Sequence, residues 1–226
     1  MSTFALIHGA GDSGWSWHLV AARLRALGHD VVAPDLPPGE SAGLTDYTDA
    51  AMDAIGGRTD DLIVVGQSFG AYTAPLVAAR LSARKLVLVT GMVPAPGEAG
   101  DDWGRNTGHA EAIREQAARD GGLTGNDDVF VAFMHDVPRK LAEEALAHGG
   151  GSIGRALAEP WPLPAWPDIT THFLLCTEDR FFPPDFMRKV VADRLGVTPD
   201  EIAGSHCVAL SRPNELAGML HGYATA

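Results

Sequence analysis

Short, predominantly apolar runs alternate with amphipathic segments along the first ninety residues of the chain. The apolar runs lie at residues 3–7, 31–33, 62–65 and 86–89. Runs without polar alternation are typical of strands that are buried on both faces. Between these runs, apolar positions recur at helical spacing and predict helices at residues 17–27, 45–55 and 69–81. Strands that alternate with helices in this way indicate an α/β fold with a mostly parallel central sheet and helices on both faces.

The pattern changes between residues 94 and 167, where glycine clusters replace strands and two helices are predicted, at residues 108–119 and 138–147. The alternation then resumes. It predicts strands at 173–176 and 201–203, a helix at 185–195, and a last helix capped by Ser211 with Pro213 in its first turn. We therefore predict an α/β core formed by residues 1–93 and 168–226. Residues 94–167 are expected to form a small helical cap, or lid, inserted into that single structural domain.

The composition and net charge of the chain limit the classes of molecule that it is expected to bind. The chain has 226 residues, and 17 basic against 29 acidic side chains give a formal net charge of −12. Such a balance disfavours nucleic acid and anionic membranes, which both require a cationic face, and favours neutral or cationic small molecules. No apolar run approaches the roughly 18 residues of a membrane span, and no secretory signal is recognisable. We expect a cytoplasmic protein, and a homodimer is compatible with the sequence.

The segment Gly66-Gln67-Ser68-Phe69-Gly70 matches the pattern G-x-S-x-G and lies between a predicted strand and a predicted helix. A strand-to-helix turn of this kind is tight, so the positions that flank the serine need glycine. The turn presents the serine hydroxyl at a helix N-terminus, where backbone N–H groups favour negative charge. The context predicts that Ser68 is a catalytic nucleophile; an ordinary glycine turn is the alternative.

A serine nucleophile needs a base, and the base needs an acid that orients it. In enzymes with this strand-to-helix turn the chain order is serine, acid, histidine. Asp179 follows the predicted strand at 173–176, and His206 follows the predicted strand at 201–203. We therefore expect His206 to be the base and Asp179 the acid, with Glu178 as the alternative acid.

The tetrahedral oxyanion of acyl transfer needs hydrogen-bond donors as well. One predicted donor is the backbone N–H of Phe69, directly after the nucleophile. The second is expected in the loop after the first strand, at the N–H of Ala10. Both donors are backbone groups, so the sequence predicts their positions and leaves their side chains unconstrained.

The sequence also contains partial patterns for two other kinds of site, a dinucleotide site and a metal site. Residues 9–14 match the dinucleotide pattern G-x-G-x-x-G, and Asp35 follows the next strand about 20 residues later, as a ribose-binding acid would. That interpretation leaves the three candidate catalytic residues unexplained. His172 and Cys176 are four residues apart, but they lie on a predicted strand without a nearby third metal ligand. We expect neither a cofactor nor a metal.

The two cysteines, Cys176 and Cys207, are too few for a disulfide framework. Two reduced thiols are the expected state, and a single disulfide between them is the alternative.

Four segments together resemble the α/β-hydrolase fold family. They are residues 7–10, 66–70, 177–184 and 204–213, which read IHGA, GQSFG, TEDRFFPP and GSHCVALSRP. The branch that they resemble contains plant methyl esterases, hydroxynitrile lyases and small bacterial relatives, and the resemblance covers nearly the whole chain outside the cap. It implies a Ser68–His206–Asp179 triad with oxyanion donors at Ala10 and Phe69.

Two positions depart from the lyases of that branch. By the resemblance, hydroxynitrile lyases carry threonine where this chain has Ala10, and lysine directly after the catalytic histidine, where it has Cys207. Hydrolysis is therefore the expected reaction, and we predict a carboxylesterase-type serine hydrolase that cleaves a small, neutral ester. The alternatives are a lyase, C–C hydrolase, amidase or thioesterase reaction on a secondary metabolite with the same triad, and a non-catalytic ligand-binding protein.

Aromatic and apolar side chains of the predicted cap are candidates for the wall of a substrate pocket. They are Trp103, Phe130, Phe133, Met134 and Trp161. Packing within the cap is the alternative role for each of them.

Overall fold

A six-stranded sheet forms the centre of the computed structural model, which describes all 226 residues. The strands are β1 (Thr3–Ile7), β2 (Asp30–Val32), β3 (Leu62–Gln67), β4 (Lys85–Val89), β5 (Thr170–Cys176) and β6 (Asp200–Ile202). They lie in the order β2-β1-β3-β4-β5-β6, and every neighbouring pair is parallel. Parallel strands need crossover connections, and helices provide them throughout the chain.

Eleven α-helices accompany the sheet, and a 3-10 turn at Gly14–Trp17 precedes the first of them. In chain order they are α1 (His18–Ala26), α2 (Leu44–Ile55), α3 (Gly70–Arg80), α4 (Gly100–Thr107), α5 (His109–Asp120), α6 (Val129–Ala132), α7 (Arg139–Ala147), α8 (Gly154–Ala158), α9 (Pro184–Leu195), α10 (Val208–Ser211) and α11 (Pro213–Thr225). None of them combines the length and hydropathy that crossing a bilayer requires.

The two faces of the sheet carry separate hydrophobic clusters. Successive side chains of β1 alternate between them, with Ala5 and Ile7 in one cluster and Phe4 and Leu6 in the other. Helices α2, α3 and α9 cover the first face, whereas α1, α10 and α11 cover the second. Because both faces are covered, the strands have no polar side, which explains their uniformly apolar runs.

All six predicted strands are confirmed, and the sheet is entirely parallel. Four short helices, α4, α6, α8 and α10, were not predicted. Three of them have only four or five residues, too few to show a helical period, and α4 contains two glycines and few apolar positions. The predicted cap at Ser211 is wrong: this residue ends α10, its hydroxyl is buried without a hydrogen-bond partner, and Arg212 precedes α11.

The segment between β4 and β5 holds helices α4 to α8 and no strand. Two of its three tryptophans fasten it to the core, because Trp103 Nε1 donates to Val93 O at 2.8 Å and Trp161 Nε1 donates to Tyr72 O at 3.0 Å. Glu98 of this segment also forms an ion pair with Arg194 of α9. These contacts place the segment against the core, and its role as a cap stays a prediction.

The strand order positions a crevice at one edge of the sheet. The chain moves from β1 outward to β2, then returns to the other side of β1 to form β3. In open α/β sheets, ligands bind at the carboxyl ends of the strands where the order reverses in this way. The loops that follow β1 and β3 contain residues 8–12 and Ser68, so the topology brings the predicted nucleophile and oxyanion loop together.

Replacing Gly70 with alanine is expected to destabilise the fold. A Cβ at this position would lie 2.7 Å from His8 O and 2.8 Å from Ile7 O, and backbone atoms cannot rotate away. Overpacking of this kind costs about 1–3 kcal/mol, which corresponds to a fall in melting temperature of roughly 2–10 °C for a domain of this size. Thermal unfolding followed by circular dichroism measures the change.

The matched control is Gly218→Ala, in the exposed middle of α11, where a Cβ meets no atom within 4 Å. Alanine favours a helix over glycine by about 1 kcal/mol, so this variant should unfold at a higher temperature. An unchanged melting temperature for Gly70→Ala would contradict the close approach of β1 and α3.

Candidate active site

Ser68 occupies the sharp turn between β3 and α3. Its φ of +51° lies in the left-handed region, which non-glycine residues rarely adopt. A Cβ on Gly66 would come within 2.7 Å of Gly70 O, so the tightness of the turn excludes larger side chains there. Ser68 N donates to Val89 O at 3.2 Å, and Ser68 O accepts from Met92 N at 2.9 Å. These contacts hold the strained conformation in place.

His206 and Asp179 are joined by a buried hydrogen bond. His206 Nδ1 lies 2.8 Å from Asp179 Oδ2, and the loops after β6 and β5 supply the two residues. An ionised carboxylate only accepts hydrogen bonds, so Nδ1 carries the proton. The lone pair of the imidazole is therefore on Nε2, which is the arrangement that a general base requires.

The Asp179 carboxylate accepts three further hydrogen bonds. Oδ1 accepts from Phe181 N at 2.8 Å and from Phe182 N at 2.9 Å, and Oδ2 accepts from Thr90 Oγ1 at 2.5 Å. Burial alone would raise the pKa of Asp179, but the charge of His206 and the hydrogen bonds from His206, Thr90 and Phe182 hold it below its ordinary value. The acid thus stays ionised and able to orient the imidazole.

Ser68 and His206 line one cavity of about 350 Å³ at the carboxyl edge of the sheet. Its wall is formed by Gly9, Ala10, Gly11, Asp12, Ser16, Trp17, Gln67, Ser68, Val129, Phe133, Met134, Ala145, Leu146, Gly149, Phe181, His206, Cys207, Ala209 and Leu210. Six of these residues belong to the segment between β4 and β5, at positions from 129 to 149. That segment therefore supplies about a third of the cavity wall.

The loop after β1 places Ala10 in the wall of the same cavity. The N–H groups of Ala10 and Phe69 donate no hydrogen bond within the chain. His8 braces the loop from behind, since its Nε2 accepts from Leu36 N at 3.0 Å and its Nδ1 donates to Gly9 O at 2.8 Å. Burial lowers the pKa of His8 and favours the neutral ring that this arrangement needs.

The five predicted pocket residues divide into two groups. Phe133 and Met134 line the cavity. Trp103 and Trp161 do not; they are 1% exposed and pack in the core cluster that contains α3 and α9. Phe130 also lies outside the wall, with its ring 3.5 Å from the Arg139 guanidinium. Large aromatic side chains pack in the hydrophobic core as readily as in a pocket wall, so residue type alone does not distinguish the two locations.

The chain segment of residues 129–136 contacts both loops that carry the base and the acid, which the sequence did not predict. Phe133 O accepts from Cys207 N at 3.2 Å, and Asp136 Oδ2 accepts from Ser205 N at 3.1 Å. The acid loop is held by two more bonds, from His135 Nε2 to Glu178 O at 2.9 Å and from Arg180 Nη1 to Val131 O at 3.0 Å. These residues are far apart in sequence, so no spacing pattern connects them.

The residues of the alternative dinucleotide and metal sites have structural roles. Asp35 Oδ1 accepts from Gly14 N at 2.8 Å, so the candidate ribose acid braces the loop itself. The strand geometry separates His172 and Cys176 by about 13 Å along β5, and His172 stacks on Tyr223. Both cysteines are free thiols.

Removing the Asp136 carboxylate is expected to slow catalysis by loosening the His206 loop. Asp136→Ala should lower kcat by about tenfold with little change in KM, because misplacement of a catalytic group affects the reaction more than ground-state binding. Asp136→Asn keeps an oxygen that can accept from Ser205 N and should restore kcat. Steady-state kinetics with an ester substrate test this, and equal kcat values for both variants and the wild type would contradict the positioning role.

The chain resembles known proteins in both sequence and fold. The profile of the Alpha/beta hydrolase family matches residues 4–219. Salicylic acid-binding protein 2 of Nicotiana tabacum is 25% identical, covering 96% of this chain and 95% of its own length. Methylesterase 3 of Arabidopsis thaliana is 23% identical, covering 95% and 93%.

Among solved structures, a pyrethroid hydrolase from Sphingobium faniae JZ-2 superposes with a TM-score of 0.77 at 21% identity. The match covers 100% of this chain and 98% of that one. The strand order, the family match over almost the entire length and the similar relatives agree with one another. The chain belongs to the alpha/beta hydrolase family.

Proposed function

We propose that this protein is a serine carboxylesterase that cleaves small esters through an acyl-enzyme. The observation that carries the proposal is the arrangement around the cavity. Ser68, in a left-handed turn, shares that cavity with His206, whose Nδ1 is bound to the buried Asp179 at 2.8 Å. Nucleophile, base and orienting acid thus meet the roles that acyl transfer by serine requires.

In the acylation step, Ser68 Oγ attacks the ester carbonyl carbon while His206 Nε2 takes the hydroxyl proton. The C=O double bond opens to a tetrahedral oxyanion. The oxyanion then collapses, the bond to the alcohol oxygen breaks, and His206 gives its proton to the departing alkoxide. Asp179 keeps its charge throughout and stabilises the imidazolium that exists between the two proton transfers.

The free N–H groups of Ala10 and Phe69 are the proposed donors to the oxyanion. Both belong to backbone that packing fixes in advance, so no reorganisation is needed when the charge develops. The Phe69 side chain, 3% exposed and stacked on Tyr72, lies in the core and leaves only the N–H for this role.

Deacylation repeats the sequence with water in place of the alcohol. His206 Nε2 takes a proton from water as its oxygen attacks the acyl carbon, and the same proton passes to Ser68 Oγ as the acyl bond breaks. The products are a carboxylic acid and the regenerated serine. No cofactor takes part in any step, and we propose that the enzyme acts in the cytoplasm on small-molecule esters.

The cavity supports a small substrate with apolar parts. Its volume of about 350 Å³ is near the lower end of the range for ligand pockets, about 300–1,000 Å³. Phe133, Met134, Leu146, Phe181 and Leu210 supply apolar walls. The names of the similar proteins, which include a methylesterase and a pyrethroid hydrolase, agree with ester cleavage as the reaction class.

Ser68→Ala is expected to lower kcat/KM for short-chain nitrophenyl esters by about 1,000-fold or more, because it removes the hydroxyl that forms the acyl-enzyme in the proposed mechanism. Hydrolysis is followed by the release of nitrophenol. A fluorophosphonate probe should label the wild type and not this variant.

The control is Ser152→Ala, an exposed serine in the segment between β4 and β5. It should match the wild type in both assays. Equal hydrolysis rates for Ser68→Ala and the wild type would overturn the proposed mechanism.

Met134→Ala is expected to shift the preference toward longer acyl chains. The substitution removes apolar volume from the cavity wall, and each added or missing methylene in such a pocket changes kcat/KM by about tenfold or more. Rates across nitrophenyl esters of two to eight carbons give the profile. Phe130→Ala, which removes an aromatic ring outside the wall, should leave the profile unchanged; identical profiles for the wild type and Met134→Ala would argue against a substrate wall at residue 134.

A further inference from the structure

Asp12 is an acidic side chain in the wall of the proposed catalytic cavity, and the proposed reaction gives it no role. It follows Gly11 in the loop after β1, two residues beyond the proposed oxyanion donor Ala10. The cavity wall that contains Asp12 also contains Ser68 and His206. Any role of Asp12 in substrate selection rests on the proposed function, since it concerns the substrate of that site.

The charge of Asp12 is poorly compensated. No lysine or arginine lies within ion-pair distance of it, and neither residue type occurs in the cavity wall. Oδ1 accepts from Ser13 N at 2.8 Å. Burial raises the pKa of Asp12, and the hydrogen bonds from Ser13 and Ser16 and the nearby imidazoles of His8 and His206 only partly offset that effect. A carboxylate in this position lacks the cation that buried acids usually have.

We propose that Asp12 forms an anionic subsite that selects esters carrying an ammonium group close to the scissile carbonyl. A ligand cation at this position would supply the missing countercharge inside a largely apolar cavity, where a charge pair is stronger than in water. The same carboxylate repels esters that carry a free carboxylate, so anionic substrates are disfavoured.

The position of Asp12 limits where the ammonium can lie. Two residues of chain span at most about 7 Å, so the Asp12 backbone lies within that distance of Ala10, whose N–H is the proposed partner of the carbonyl oxygen. The ammonium must therefore be only a few bonds away from the ester group. An ester of 2-ammonioethanol, with either a protonated amine or a quaternary ammonium, satisfies this spacing. A cation at the end of a long chain does not.

Two acetate esters of equal shape test the proposal. One is 2-(trimethylammonio)ethyl acetate, and the other is its uncharged isostere 3,3-dimethylbutyl acetate. The measured quantity is the ratio of their kcat/KM values, cationic over neutral, at pH 8 for the wild type, Asp12→Asn and Asp127→Asn. Asparagine at position 12 keeps an oxygen for Ser13 N and removes only the charge. Asp127 is an exposed acid outside the cavity wall and controls for the loss of one negative charge.

The expected ratio is about ten for the wild type and for Asp127→Asn, and about one for Asp12→Asn, because the attraction between two opposite charges at the edge of a protein cavity contributes on this scale. A wild-type ratio at or below one overturns the proposal without any variant, as does a ratio that Asp12→Asn leaves at the wild-type value. Tetramethylammonium should also compete with the neutral ester in the wild type, and the absence of competition counts against the subsite. If neither ester, nor any nitrophenyl ester, is hydrolysed in a Ser68-dependent way, the proposed function itself fails instead.

Discussion

The left-handed backbone of Ser68 is the constraint on which the rest of the site depends. A non-glycine residue in this conformation costs about 1–3 kcal/mol and persists only where its surroundings hold it. Here they do so through Val89 at the end of β4, Met92 beyond it, and the close seating of Gly70 against the end of β1. The carboxyl ends of β1, β3 and β4 therefore meet in one contact region. This region fixes the relative positions of the loops that form the site.

Two carboxylates near that region show how environment assigns different behaviour to the same chemical group. Asp179 is fully enclosed but accepts four hydrogen bonds, and its pKa falls. Asp12 is only partly enclosed, has one backbone donor, and its pKa rises. Environments that push the pKa values of two acids apart indicate separate roles. The protein supplies Asp179 with more hydrogen-bond donors than Asp12, and the proposed anionic subsite depends on that difference.

The sequence predicted the sheet and the three central side chains because their signals are local. Strands buried on both faces are apolar along their whole length, the glycines around Ser68 are required by one turn, and chain order separates His206 from the other histidines. The wall of the cavity was predicted less well. Trp103 and Phe133 carry the same hydrophobic signal, and only the path of the chain decides which of them faces the core.

No pattern in the sequence predicted the contacts between segments that are distant along the chain. Asp136 and Ser205 are 69 positions apart, and their hydrogen bond depends on how the segment after β4 packs against the loop after β6. Composition and periodicity describe an element and its neighbours in the chain. They do not describe which loop an element will touch once the sheet has assembled, and in this protein that information determines how the base is held.

The hydrogen bonds from residues 129–136 to the loops of Asp179 and His206 have a consequence for substrate access. A cover that swung away from the sheet as a rigid body would break the bonds at Phe133 O and Asp136 and would leave the imidazole without its support. Substrate could then enter only while the His206 loop lacks the hydrogen bonds that hold it in position. Leu146, another residue of the cavity wall, is 47% exposed and makes no hydrogen bond to either catalytic loop. A route past side chains of this kind would leave those bonds intact, and the base would then keep its support throughout turnover.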